Sequence, residues 1–197
     1  SVGEMNEITE GSEFLKKLFL DKDQRKLYVQ TWGGTNTTAR ALKSIEEEYG
    51  NSKDWTAIQK KISDKVVIYI ILDQDDSYGN YIAKKWPNIK IINDISNFWH
   101  FAYAWKFHTN EVNSLLQGDW LYKNIKSEHG PLLDKYALMG DGNILDGELY
   151  DEQRGTDTYL QKNPQYKKHD FISEGDSPSF FYLINNGLRS LEDSIYG

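Results

Sequence analysis

The chain contains no cysteine. Disulfides, a thiol nucleophile and thiolate zinc sites are therefore excluded, and any metal must be held by oxygen or imidazole. No apolar run approaches the ~18 residues a membrane-spanning helix needs, so no membrane partner is expected. A signal-peptide pattern is also missing: Ser1 opens directly on a polar segment, as a mature or trimmed chain would. Positive charge is in deficit, with 23 Lys and Arg against 30 Asp and Glu and a net charge of −7. A nucleic-acid backbone is thus not an expected partner, because phosphate binding needs clustered Lys and Arg. No His-Glu-x-x-His, Gly-x-Ser-x-Gly, phosphate-loop or Gly-x-Gly-x-x-Gly motif occurs. The four histidines, His100, His108, His129 and His169, lack metal-ligand spacing.

What is present suits a globular protein with a core. The 197 residues match one domain's length, and we expect a single domain over 1–197. Six Trp and thirteen Tyr supply large rings; most are expected in the core, including Trp99, Phe101, Tyr103 and Trp105. The acidic balance favours a hard cation such as calcium or magnesium over a soft metal.

The pattern of elements is α/β. Ser12 can cap a helix over EFLKKLFL. Leu27 to Gln30 reads as a strand. Thr37 to Tyr49 reads as a helix in which Ala41, Leu42 and Ile45 share a face. Asp54 can cap a helix that packs Trp55, Ile58 and Ile62. Lys65 to Leu72 (KVVIYIIL) is continuously apolar, as in a parallel strand buried on both faces. A helix from Tyr78 to Trp86, broken by Pro87, and a strand over Ile89 to Ile92 follow. Strand, helix, strand, helix, strand predicts an open parallel sheet with helices on both faces. Helices are further predicted over Ser96 to Phe107, Asn110 to Leu116, Asp119 to Lys126 and SPSFFYLI. From Ser127 to Ser173 periodicity fades, and so long an irregular stretch is usually functional or mobile.

Three stretches could carry chemistry. The first is Thr31-Trp32-Gly33-Gly34-Thr35-Asn36, where a strand meets a helix; this is where open α/β sheets bind ligands, although a capped turn would look the same. The second, Asp73-Gln74-Asp75-Asp76, follows a buried strand and holds more acids than capping requires. The third, Glu174-Gly175-Asp176-Ser177-Pro178, precedes a helix, where Asp176 is either an N-cap or a ligand. Asp141 to Glu152 (DGNILDGELYDE) departs from a calcium loop, since Leu145 and Asp146 stand at its fifth and sixth positions.

WGGTNTTARAL, the strand ending in ILDQDD, WPNIKII, and EGDSPSFFYLI with GLRSLED resemble, in that order, the nucleoside-hydrolase-like domain of bacterial cellulose-binding proteins, a distant relative of inosine-uridine nucleoside hydrolases. The resemblance implies a calcium site at the carboxyl edge of a parallel sheet, with Thr31 (through its carbonyl) and Asp176 as metal ligands. It implies Trp32, Asn36, Gln74, Asp75, Asp76 and Glu174 as substrate-binding residues. Gly175 stands where the hydrolases have a His that assists the leaving base. Asp73 to Asp76 replaces their ribose-binding loop. The Asp-bearing opening strand that holds their general base has no counterpart before Leu27, so the chain reads as the C-terminal part of the domain, its N-terminal strand missing. Association with that missing segment, or a homo-oligomer, is expected to cover the sheet edge. Two functions stay open. One is hydrolysis of a glycosidic or N-glycosidic bond at calcium; the other is carbohydrate binding without catalysis, on cellulose or another plant polysaccharide. A remnant with no ligand is the third possibility. The resemblance implies a secreted or periplasmic protein.

Overall fold

The computed structural model describes residues 5–96, 108–145, 147–172, 176, 179, 180 and 183. The chain divides into two compact units, residues 1–98 with 176–197, and residues 99–175. Residues 97–107 of the helix predicted over Ser96 to Phe107, and most of that over SPSFFYLI, lie outside the described residues.

In the first unit, helix α1 (Glu10–Leu20) precedes strand β1 (Leu27–Thr31). Helices α2 (Asn36–Tyr49) and α3 (Trp55–Lys65) lead to β2 (Val66–Ile71). A π-helical turn, Tyr78–Ile82, runs into α4 (Ala83–Lys85) and then β3 (Lys90–Asp94). The strands form a parallel sheet in the order β1-β2-β3, with Val29 beside Ile68 and Ile68 beside Ile91. Each parallel step needs a crossover, which α2 with α3, and then the π turn with α4, provide.

The apolar run of β2 explains its central place. Successive side chains point to opposite faces, and Val66, Ile68 and Ile70 on one face and Val67 and Ile71 on the other are all buried. Phe19, Leu42, Ile45, Ile62, Ile82 and Trp86 complete the core around the first face. Trp55 packs edge-on against Trp86 with centroids 5.2 Å apart.

The start of α1 differs from the sequence reading. Thr9, not Ser12, is the N-cap: its hydroxyl accepts from Ser12 N (3.2 Å), while Thr9 N donates to Ser12 Oγ (2.9 Å). Ser12 thus takes the N3 place of a capping box, where Glu or Gln is usual. Arg40, buried within α2, donates to the Met5 carbonyl (2.8 Å), to Ser44 Oγ and to the Glu47 carboxylate. Asn36 Oδ1 accepts from Met5 N (2.8 Å), so α2 holds the leading segment at two points.

The second unit is built from short pieces. They are α5 (Asn110–Asn113), a 3-10 turn Ser114–Leu116, and α6 (Gly118–Leu121), which runs into a π-helical turn Tyr122–Lys126. Further 3-10 turns lie at Leu133–Lys135 and Tyr150–Glu152, and α7 spans Asp157–Lys162. Polar contacts replace the missing periodicity. The buried Asp141 carboxylate accepts from Leu138 N (2.8 Å), Asn143 N (2.8 Å) and the Lys126 ammonium (2.9 Å). In the stretch that departs from a calcium loop, Asp141 therefore has a lysine as its cation.

Candidate functional site at the carboxyl end of the sheet

Because β1 and β2 are parallel, with Thr31 beside Ile70, the segments leaving them emerge at the same edge. Leu72 takes a left-handed conformation (φ +62), uncommon for a bulky residue. Its N–H donates to the Asp94 carbonyl (3.2 Å). The bend turns Asp73-Gln74-Asp75-Asp76 toward the start of α2.

There Asp75 does what no residue of α2 itself does. Thr35, the N-cap, makes no side-chain capping bond. Asp75 Oδ1 instead accepts from Thr35 N (3.1 Å) and Oδ2 from Asn36 N (3.0 Å). Oδ1 also accepts from Ser77 N (3.1 Å) and Ser77 Oγ (2.6 Å). The helix N-terminus favours this anion through its free N–H groups and its dipole. Burial pushes the Asp75 carboxyl upward, but the hydrogen bonds from Ser77, Asn36 and Thr35 outweigh it and hold its pKa below the usual range. The buried Thr35 and Ser77 hydroxyls meet at 2.6 Å behind it.

Asp73 serves the next helical segment. Its Oδ1 accepts from Tyr78 N (3.1 Å) and its Oδ2 from Gly79 N (2.8 Å). Two helical segments begin at this edge and each takes one carboxylate, which accounts for two of the three acids. Asp76, at φ +59, is exposed.

The aromatic side of the edge is held just as definitely. Gln74 Nε2 donates to the carbonyls of Trp32 (3.0 Å) and Ile71 (2.9 Å). The Trp32 indole N–H donates to Ser179 Oγ (2.9 Å), which in turn donates to Gln30 Oε1 (3.0 Å). Gln30 Nε2 closes the ring on the Ser179 carbonyl (3.2 Å). Phe180 meets Trp32 edge to face, with centroids 5.4 Å apart at 81°. Trp32 is nevertheless 40% exposed and Phe180 45%. A clamped indole with this much free face can pack against the C–H face of a ring-shaped ligand, with polar side chains at its margin.

The sequence-predicted residues thus fall into distinct places. Trp32 and Gln74 come together, one exposing its ring and the other orienting the loop beneath it. Asp75 caps α2, and Asn36 anchors Met5. Thr31 ends β1, half-buried. Asp176 is half-buried, and its carbonyl accepts from Ser179 N (3.0 Å), which links it to the segment clamped on Gln30 and Trp32. Glu174 lies outside the described residues. Sequence reasoning missed Ser179, Phe180 and Gln30. Their partners lie about 150 positions away in the chain, and no local pattern marks them.

The expected calcium can be tested against these donors. Calcium takes six to eight oxygen ligands. Among the described residues no group of three or more His, Asp and Glu side chains could hold a metal ion. All four carboxylate oxygens of Asp73 and Asp75 accept backbone N–H groups. The two implied ligands, Thr31 and Asp176, would supply only part of the six to eight oxygens that calcium takes.

Comparison with known proteins agrees with the fold. The family described as "Cellulose-binding Sde182, nucleoside hydrolase-like domain" matches residues 1–197. A solved structure of a nucleoside hydrolase-related hypothetical protein from Saccharophagus degradans, described as associated with carbohydrate metabolism, is similar with a TM-score of 0.52 and 22% identity. The match covers 95% of this chain and 33% of that one, so the chain spans about a third of that protein's length. At this identity the likeness bears on the fold alone. No curated protein matches the chain.

Proposed function

Because the chain belongs to the family of cellulose-binding, nucleoside hydrolase-like domains, we propose that it binds plant polysaccharide at the carboxyl end of its sheet and does not cleave it. The observation that carries this reading is the exposed Trp32 indole, held in place at the sheet edge. The indole is clamped by Ser179 and Phe180, while Asp75 at the same edge is committed to capping α2. An exposed aromatic face whose nearby acids Asp73 and Asp75 are taken up by helix caps suits adhesion to sugar rings better than general acid–base chemistry, which needs a carboxyl that can gain and lose a proton. The family's cellulose-binding character supports cellulose as the first ligand to try. Such a protein works where the polysaccharide is, outside the cell or in the periplasm.

The test is equilibrium binding of cellohexaose, xylohexaose and swollen cellulose, with Trp32→Ala and Trp32→Phe beside the parent protein. Saturable binding weakened about tenfold by Trp32→Ala and largely kept by Trp32→Phe is expected. Equal binding by all three proteins would remove Trp32 from the site.

A calcium-dependent hydrolase is the second reading. Its support is that the segment bearing Asp176 is tied through Ser179 to Gln30 at the end of β1, the strand that Thr31 closes. It requires donors beyond those described above. Its test is a calcium-induced rise in melting temperature that Asp176→Ala abolishes. An unchanged rise would take Asp176 out of any metal site.

A further inference from the structure

The second unit holds a recess that the sheet-edge site does not use. It lies between the 3-10 turn Tyr150–Glu152 and α7, and its lining includes Tyr150, Asp151, Gln153, Thr158, Tyr159 and Lys162. Its volume is about 50 Å³. That is far below the several hundred Å³ of an enclosing ligand pocket, and it is enough for a hydroxymethyl or hydroxyl group. Tyr150 stands at its rim, 88% exposed. So large an aromatic face turned to water contributes little to the core.

The frame around the recess is rigid. Thr156 caps α7 by accepting from Tyr159 N (3.1 Å), and its own hydroxyl donates to the Gln153 carbonyl (2.8 Å). Glu148, mostly buried, accepts from Leu145 N (3.1 Å) and pairs with Arg154 (3.1 Å). Gly142 N donates to the Gly155 carbonyl (2.8 Å), and a Cβ on Gly155 would stand 2.7 Å from the Asn143 carbonyl carbon. Tyr159 is backed by Tyr166, stacked at 6.3 Å. These contacts hold the backbone around the recess, which lowers the cost of ordering it on binding.

Resting on the carbohydrate-binding reading above, we propose that this recess is a second carbohydrate subsite, on which one pyranose ring packs against Tyr150 while an exocyclic group enters between Asp151, Gln153 and Lys162. A carboxylate, an amide and an ammonium around one aromatic face can satisfy a sugar's hydroxyls as both donors and acceptors. The irregular stretch from Ser127 to Ser173 thereby gains a function distinct from that of the sheet edge.

Backbone-amide NMR of the full chain, titrated with cellohexaose and separately with xylohexaose, tests the assignment. Saturable shifts over residues 150–162 are expected with at least one of the two sugars. Tyr150→Ala should weaken them about tenfold, Tyr150→Phe should keep them, and Trp32→Ala should leave them in place. Because Tyr150 is so exposed, the alanine variant is expected to fold normally. The subsite is overturned if neither sugar shifts 150–162, or if Tyr150→Ala binds as the parent does. Shifts around Trp32 alone would overturn this subsite and leave the sheet-edge reading standing. Shifts over 150–162 alone would do the reverse.

Discussion

Gly34 and Asp75 occupy each other's space. A Cβ on Gly34 would stand 2.7 Å from Asp75 Cβ and closer still to the carboxylate. The absent side chain is what lets Asp75, from the loop after β2, reach the first N–H groups of α2. Gly34→Ala is therefore expected to push Asp75 off Thr35 and Asn36. Loss of the cap should cost about 1–2 kcal/mol, a fall in melting temperature of about 2–8 °C for a chain of this length. Gly33→Ala, which meets nothing within 4 Å, is the control and should melt close to the parent. Calorimetry of the two variants distinguishes the positions.

The same carboxylate makes stability depend on acid. The folded pKa of Asp75 lies below its unfolded value, so its contribution is complete above about pH 4 and is lost as pH falls through the lower folded pKa. Asp75→Asn removes the charge and turns an amide donor toward backbone donors. It should destabilise the protein by about 1–3 kcal/mol at neutral pH. The gap between parent and variant should narrow as pH falls below about 4. Urea unfolding across that range measures it, and a gap independent of pH would contradict the assigned role.

In the second unit, Lys126 is the cation for Asp141 and also donates to the Tyr136 carbonyl (2.8 Å). Lys126→Met strands a buried carboxylate, and a cost of about 3 kcal/mol is expected. The check is the urea midpoint of the variant; a midpoint equal to the parent's would show that Asp141 does not rely on this partner.

Arg40 makes a comparable test in the first unit. Arg40→Ala withdraws its hydrogen bonds from Met5, Ser44 and Glu47. A loss of about 1.5–3 kcal/mol is expected, together with faster amide exchange in the segment before α1. Unchanged exchange there would mean that Asn36 alone anchors it.

The parts of the fold legible in the sequence were those set by local pattern. The unbroken apolar run of β2 announced a strand buried on both faces, and Ala41, Leu42 and Ile45 announced the inner face of α2. The nearness of two of the candidate stretches was legible, since Trp32 to Asn36 and Asp73 to Asp76 do share one edge. What each residue does there was not. The sequence shows one helix start near the acids after β2, whereas the parallel sheet brings a second from about forty residues away, so two of the three acids cap. Ser12 resembled a cap because Thr9 with Ser at N3 is an uncommon capping box. The clamp on Trp32 closes across about 150 residues and leaves no local trace.

The central claim is adhesion without cleavage, and one measurement bears on it most directly. The protein is incubated with calcium and a panel of nucleosides, cellohexaose and xylohexaose, with bound ligand and released reducing sugar or base followed in the same samples. The account predicts saturable oligosaccharide binding that Trp32→Ala weakens, with no release above a protein-free control. Release that rises with protein concentration and disappears in Asp176→Ala would contradict it.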